Sequence, residues 1–367
     1  MYFVLFAAAL SGAPYAVTPI DDGARIVLEN RQPPGDATKA RCRWIVYRDG
    51  LPYANGSWAL RDFAPGCALT NAAPEVLGTL QEDPCDLALR VRFVTGDEDV
   101  DKETLLAIDQ VDYPRNARAL PQYVGEPAEL SETPGFYEFK TPATRIRFDR
   151  STGLLAGFAT GWWSLTEWMG SPLSFDFGED APRIRLEEFT APSQTNGVWT
   201  FRTISWWEYP ASAEKPRNFE IRVATDWTVR GDGRVCLESS IRPFGERLEL
   251  PRLGWATVLT PKDPLIQYHG AGEAAQPKGQ PPRVLTGLYT TSVANCGRPT
   301  QVRAIAFDAE HNYLSFATLG DDFNLEIART RSGATFCGIA AARQLVADQD
   351  WQIKLLISPE KVLRAYK

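Results

Sequence analysis

In the segment "DLALRVRF", Leu87, Leu89, Val91 and Phe93 fall on one face, and Arg90 and Arg92 fall on the other. Successive side chains of an extended backbone point to opposite faces, so this alternation is the signature of a half-buried strand. It recurs along the chain. Ile146 and Phe148 alternate with Arg145 and Arg147, and Trp351, Ile353, Leu355 and Ile357 share a face in the last strand. In "NFEIRVATDWTVRGDGRVCLESSI" two such runs flank Gly231-Asp232-Gly233, a hairpin turn signal. Helical signals are confined to Lys102–Ala107 and a short stretch after Pro359. Strands and helices do not alternate, which excludes a TIM barrel or a Rossmann domain. The pattern predicts an all-β, antiparallel protein.

A chain of 367 residues is too long for one ordinary domain, and two are expected. Breakers cluster in "YPRNARALPQYVGEPAELSETP", Tyr113 to Pro134, which reads as a linker over 116–134. The part before it, 14–115, has the size and strand spacing of an immunoglobulin-like β-sandwich. The part after it, 135–367, is a larger antiparallel β structure. Residues 1–13 are apolar, then small, and read as a signal segment or as the truncated edge of a longer chain. No Lys or Arg precedes the apolar run, so the cytoplasm is favoured over secretion.

The apolar fraction of 44% allows a large core. The net charge of −7 argues against nucleic acid and against a membrane surface as partner, and fits a neutral ligand. The six cysteines show no C-x-x-C spacing and the chain has two histidines, so no metal and no cofactor is expected. Three cysteines fall in each half, an odd number that cannot all pair within a domain, which favours buried thiols.

Several motifs then combine into a resemblance. Residues 14–50, with Asn30-Arg31, Cys42-Arg43-Trp44 and Asp49-Gly50, resemble the start of the fourth, sandwich domain of glycoside hydrolase family 2 β-galactosidases. Phe148, Asp149, Gly153 and Leu155 match a Phe-Asp-x-x-x-Gly-x-Leu motif of that family's C-terminal domain. The Gly231-Asp232-Gly233 hairpin, Leu250 to Gly254 ("LPRLG"), "NCGRPTQVRAIAF" and "FNLEIAR" follow in the family's order, over about 350 residues. The resemblance implies an immunoglobulin-like sandwich followed by a large supersandwich of the galactose-mutarotase-like kind. It also implies that both catalytic glutamates stand on a TIM barrel outside this chain, so no catalytic residue is assigned here.

Where the family has Tyr-x-Gly-Arg-Gly-Pro-x-Glu-Asn-Tyr, this chain has Tyr268, Gly270, Gly272 and Glu273 but lacks the Arg, Pro, Asn and second Tyr. The segment reads as a retained glycine turn with a reduced docking surface. "TFCGIAAARQL", residues 335 to 345, has no Trp to line a sugar.

Eleven tryptophans are many for this length, and Trp162-Trp163, Trp168 and Trp206-Trp207-Glu208-Tyr209 are dense. Adjacent strand residues face opposite ways, so one ring of each pair is core and the other covers a neighbour or a sugar. The candidate carbohydrate-binding residues are Trp163, Trp207, Tyr209, Tyr268, His269 and Glu273. His269 with Glu273 could also serve proton transfer of the mutarotase type, and His311 with Glu310 is the other such pair. Asn55-Gly56-Ser57 is a glycosylation sequon if the chain is secreted.

Three functions follow. The first is a non-catalytic C-terminal portion or small subunit of a β-galactosidase-like glycosidase, with the catalytic large subunit or barrel domain as partner and a galactoside or other neutral sugar as ligand. The second is a stand-alone carbohydrate-binding protein, and the third is an aldose 1-epimerase.

Overall fold

A computed structural model describes residues 14–33, 40–81, 83, 85–95, 103–114, 122–160, 163–174, 182–209, 219–244, 249–250, 253–259, 263–274, 283–296, 298–309, 312–329, 334–341, 345–346 and 349–360. Residues 1–13, Trp162, Glu310 and His311 lie outside this set, as do the side chains of Trp163, Trp168 and Glu273. The chain is all-β and antiparallel. It divides into two compact units, Met1–Arg118 with Ala271–Leu288, and Ala119–Gly270 with Tyr289–Lys367.

The first unit is an immunoglobulin-like sandwich. Strands β1 (Tyr15–Ile20), β2 (Arg25–Asn30) and β5 (Ala68–Ala72) form one sheet in that order. Strands β4 (Leu51–Trp58), β3 (Arg41–Arg48), β6 (Leu87–Thr95) and β7 (Thr104–Asp112) form the other. The alternation of β6 puts Leu87, Leu89, Val91 and Phe93 into the shared core with Tyr15, Ile26, Leu28 and Val46. Tyr15 stacks on Phe93 with centroids 4.4 Å apart. A short helix, α1 (Glu75–Leu80), starts after Pro74 and buries Leu77 and Leu80. The helix expected at Lys102–Ala107 is not formed. Thr104–Asp112 is strand β7, paired antiparallel with β6 along its length, with one register shift between Phe93 and Val94. That ladder, and the burial of Ala107 and Val111, override a weak local preference.

The second unit is a large antiparallel supersandwich. It comprises β8 (Glu129–Glu132), β9 (Phe136–Lys140), β10 (Thr144–Asp149), β11 (Leu155–Thr160), β12 (Trp163–Ser174), β13 (Arg183–Phe189), β14 (Ser193–Thr195), β15 (Val198–Tyr209), β16 (Phe219–Arg230) and β17 (Val235–Phe244). There follow β18 (Glu249–Leu250), β19 (Leu253–Leu259), β20 (Leu265–Ala274), β21 (Arg283–Ser292), β22 (Thr300–Ala309), β23 (Asn312–Thr318), β24 (Phe323–Arg329), β25 (Thr335–Ala341), β26 (Leu345–Val346) and β27 (Trp351–Ser358), the end of β20 and the start of β21 being counted with the first unit. One face is the sheet β13-β15-β16-β17-β27-β23-β22. The opposing sheet is β12-β19-β25-β24. Phe148, Phe201, Trp227, Leu237, Trp255, Leu325 and Ile339 meet in one core. Each such side chain contributes about 1.5–3 kcal/mol by leaving water.

Two of the matched motifs sit at turns, and a third, FNLEIAR, is strand β24. Gly153, at φ +74°, donates its N–H to the Asp149 carbonyl (2.8 Å), and the Asp149 carboxylate takes the Ser151 N–H (2.7 Å). Gly233, at φ +84°, closes the β16–β17 hairpin, and Arg230 binds Asp232 across it (2.8 Å). The segment Tyr268–Glu273 is not a turn: it is extended within β20. Gly270 is needed there for close approach, since a Cβ would lie 2.8 Å from Val302 Cα.

All six cysteines are free thiols; five are buried and Cys67 is half-buried. Burial pushes the Cys42 and Cys236 thiols up to about 12 and Cys296 up to about 11. Thiolate is the reactive form, so a thiol reagent at pH 8 is expected to modify Cys67 alone in the native protein. The other five should react only on unfolding. Two or more fast-reacting thiols, counted by mass spectrometry, would contradict the packing around the cysteine cores.

Candidate functional site

Strands β13, β15, β16 and β17 lie side by side. Their register makes Arg185, Trp206, Arg222 and Arg242 consecutive Cα partners, one row across four strands. Parity decides which aromatic faces out. Phe201, Thr203, Ser205, Trp207 and Tyr209 point into the core, so Arg202, Trp206 and Glu208 point away from it.

The pairing of β13 with β15 is irregular between Leu186 and Glu188, which places Glu187 beside this row. Its carboxylate accepts a hydrogen bond from Trp206 Nε1 and a longer one (3.5 Å) from Arg222. Arg185 lies 5.6 Å from the Trp206 ring centroid and pairs with Glu208 at 3.3 Å. Phe244 packs beside Trp206, with centroids 5.3 Å apart, and Arg242 lies 5.4 Å from the Phe244 centroid. Two aromatic rings are thus held in a frame of guanidinium and carboxylate groups. Such a frame can stack the CH face of a sugar and bond its hydroxyls, or it can dock a protein surface.

The Trp206 N–H, then Arg222, hold the Glu187 carboxyl below its ordinary value of 4.5. A lowered carboxyl favours the folded arrangement above that value and loses its contribution as pH falls through the shifted one. Trp206 emission is expected to change in that acid range, with a midpoint below 4.5. The step should vanish in Glu187→Gln. A midpoint at or above the ordinary value would mean that the Glu187–Trp206 bond is not made in solution.

The residues nominated from sequence are placed differently. Trp207 is 0% exposed and donates to Ser205 Oγ (3.0 Å), and Tyr209 is 3% exposed. Both are core side chains, because they share the inward parity of Phe201; burial also raises the Tyr209 hydroxyl. The outward ring is Trp206, the other member of the pair. The signal was present, since Arg202 and Glu208 are in phase with Trp206.

Tyr268 is buried and stacks on Tyr289 at 5.4 Å. His269 is 1% exposed, on the opposite face of β20 from Tyr268. Trp163 and Glu273 belong to β12 and β20, and their side chains are outside the described set. Of the six nominated residues, the four whose side chains are described, Trp207, Tyr209, Tyr268 and His269, are buried. Among the described residues no cluster of three or more His, Cys, Asp or Glu could hold a metal ion. No helix among them is long and apolar enough to cross a membrane.

No known protein family and no curated protein sequence matches the chain. Solved structures similar to it include an aldose 1-epimerase-type protein from Escherichia coli K12, at 9% identity and TM-score 0.36, covering 61% of this chain and 98% of that one. Galactose 1-epimerase from Lactobacillus acidophilus is similar at 8% identity and TM-score 0.36, covering 61% and 93%. The cycloalternan-forming enzyme of Listeria monocytogenes aligns at 9% identity and TM-score 0.19, covering 95% of this chain and 30% of that one. These likenesses carry nothing about substrate or reaction.

Proposed function

We propose that the chain is a non-catalytic, two-sandwich portion of a β-galactosidase-like glycoside hydrolase. In this reading the sandwiches, near 14–115 and 135–367, support a catalytic barrel on another polypeptide. The observation that carries it is where the quoted motif residues fall. Asp149 and Gly153 build one tight turn, and Asp232 and Gly233 build another. Two motif turns kept in the family's order support the family's scaffold. Retaining glycoside hydrolysis needs two carboxyl groups about 5–5.5 Å apart, and the resemblance places that pair on the barrel. The test is to mix the chain with a barrel-bearing β-galactosidase polypeptide that lacks its C-terminal sandwiches. Association and a gain in galactoside hydrolysis are expected. No complex and no gain would remove the reading.

A second reading, carbohydrate binding by the chain itself, is favoured by the outward Trp206 patch. Trp206→Ala is expected to weaken binding of a galacto-oligosaccharide about tenfold or more, by loss of one stacking ring. Trp207→Ala would instead cost stability. Titration calorimetry with thermal melts separates the two, and equal affinity in wild type and Trp206→Ala would clear this face of sugar contact.

The names of the similar structures raise an epimerase reading. It needs an imidazole facing the sugar; His269 is buried, and the other candidate, His311, lies outside the described residues. Polarimetry on α-galactose, compared with the uncatalysed rate, tests it. Acceleration would move the assignment to this third function.

A further inference from the structure

Arg222 and Arg242 are direct cross-strand partners on β16 and β17. Like charges placed opposite each other destabilise a sheet. Arg222 is offset by Glu187, at 3.5 Å. Arg242 is exposed, makes its only described contact with the Phe244 ring, and has no carboxylate partner among the described residues. Glu220, opposite Phe244 in the next row, forms no ion pair with either arginine. A protein of net charge −7 thus keeps a like-charge guanidinium pair, of which Arg242 is uncompensated among the described residues, beside its outward Trp–Phe platform. An anionic group placed between the two guanidiniums would relieve the repulsion and gain charge-assisted hydrogen bonds. A sugar ring carrying that group would rest on Trp206 and Phe244.

We infer that this face is a subsite for an acidic saccharide, with Arg222 and Arg242 taking a ring carboxylate or sulfate and Trp206 with Phe244 taking the ring. The inference rests on the carbohydrate reading of this face and not on any catalytic partner. It departs from the neutral ligand expected from net charge, because Arg242 lacks a carboxylate partner among the described residues at this row.

The test is titration calorimetry of the full chain with four probes: an oligogalacturonate, a sulfated galactan oligosaccharide, a neutral galacto-oligosaccharide and a poly-glutamate peptide. One or both anionic saccharides should bind at least tenfold more tightly than the neutral sugar, and which one binds tells carboxylate from sulfate. Arg242→Ala should lose about tenfold of that preference, as expected for a charge-assisted contact. Its melting temperature should be unchanged or higher, because a like-charge pair is gone, whereas a structural role would lower it. Binding should weaken as salt is raised. Equal affinity for the neutral sugar would overturn the acidic subsite and leave the sugar reading standing. Peptide binding as tight as saccharide binding would make this a protein-docking surface instead. No saccharide binding at all would overturn both the subsite and the sugar reading, while leaving the barrel-complementation test to stand by itself.

Discussion

Trp227→Ala is expected to destabilise the supersandwich by about 3–5 kcal/mol, the range for removing a large aromatic from a packed core. Trp227 is 1% exposed. Its ring meets Phe148 at 4.8 Å, Phe201 at 6.3 Å and Trp255 at 6.2 Å. The last contact joins the two sheets, so the cavity would open at their interface and neither sheet could close it without moving its ladder. Its Nε1 also donates to the buried Thr203 Oγ1 (2.9 Å), which would be left without that partner. Urea unfolding followed by far-UV circular dichroism measures the loss. A loss under about 1.5 kcal/mol, the range for a small truncation, would mean that the two sheets do not pack on this ring.

Gly197→Ala is the second large effect. Asn196 and Gly197 form the two-residue loop between β14 and β15, at φ +50° and +79°. These angles suit a hairpin whose turn matches the strand twist. An alanine there costs about 1–2 kcal/mol in backbone conformation. It also costs space, since its Cβ would lie 2.2 Å from the Gly125 carbonyl oxygen. Moving that backbone adds about 1–3 kcal/mol. The segment with Gly125 is itself held down, because Gly231 abuts the Glu126 carbonyl and Arg230 lies 4.9 Å from the Tyr123 centroid. Gly66→Ala is the control: φ is +84° and nothing lies within 4 Å of its Cβ, so the conformational cost alone should appear. Equal losses in the two variants would show that residues 123–126 do not rest on the hairpin.

These positions also show what the sequence makes legible. The alternations in β6, β10 and β27 specify the core faces directly, because period two leaves one answer for each side chain. The Gly231-Asp232-Gly233 turn is legible for the same local reason. The Asn196-Gly197 turn carried an equally good signal and was passed over. Gly270 misleads, because a glycine kept for close packing looks like one kept for a turn, and the Val302 backbone that it meets is over 30 residues away. The segment 104–112 misled because its partner strand, not its own composition, makes it extended.

At the candidate site, one strand's parity distinguishes Trp206 from Trp207. The Arg185–Trp206–Arg222–Arg242 row depends on the register of four strands and an irregularity at Glu187, which no single segment encodes.

The most direct measurement is the rate of β-galactoside hydrolysis by a barrel-bearing polypeptide without its C-terminal sandwiches, with and without this chain. The account predicts no turnover by this chain alone and a rate that rises to a plateau at equimolar mixing. Turnover by the chain alone, or a rate indifferent to its addition, would contradict it.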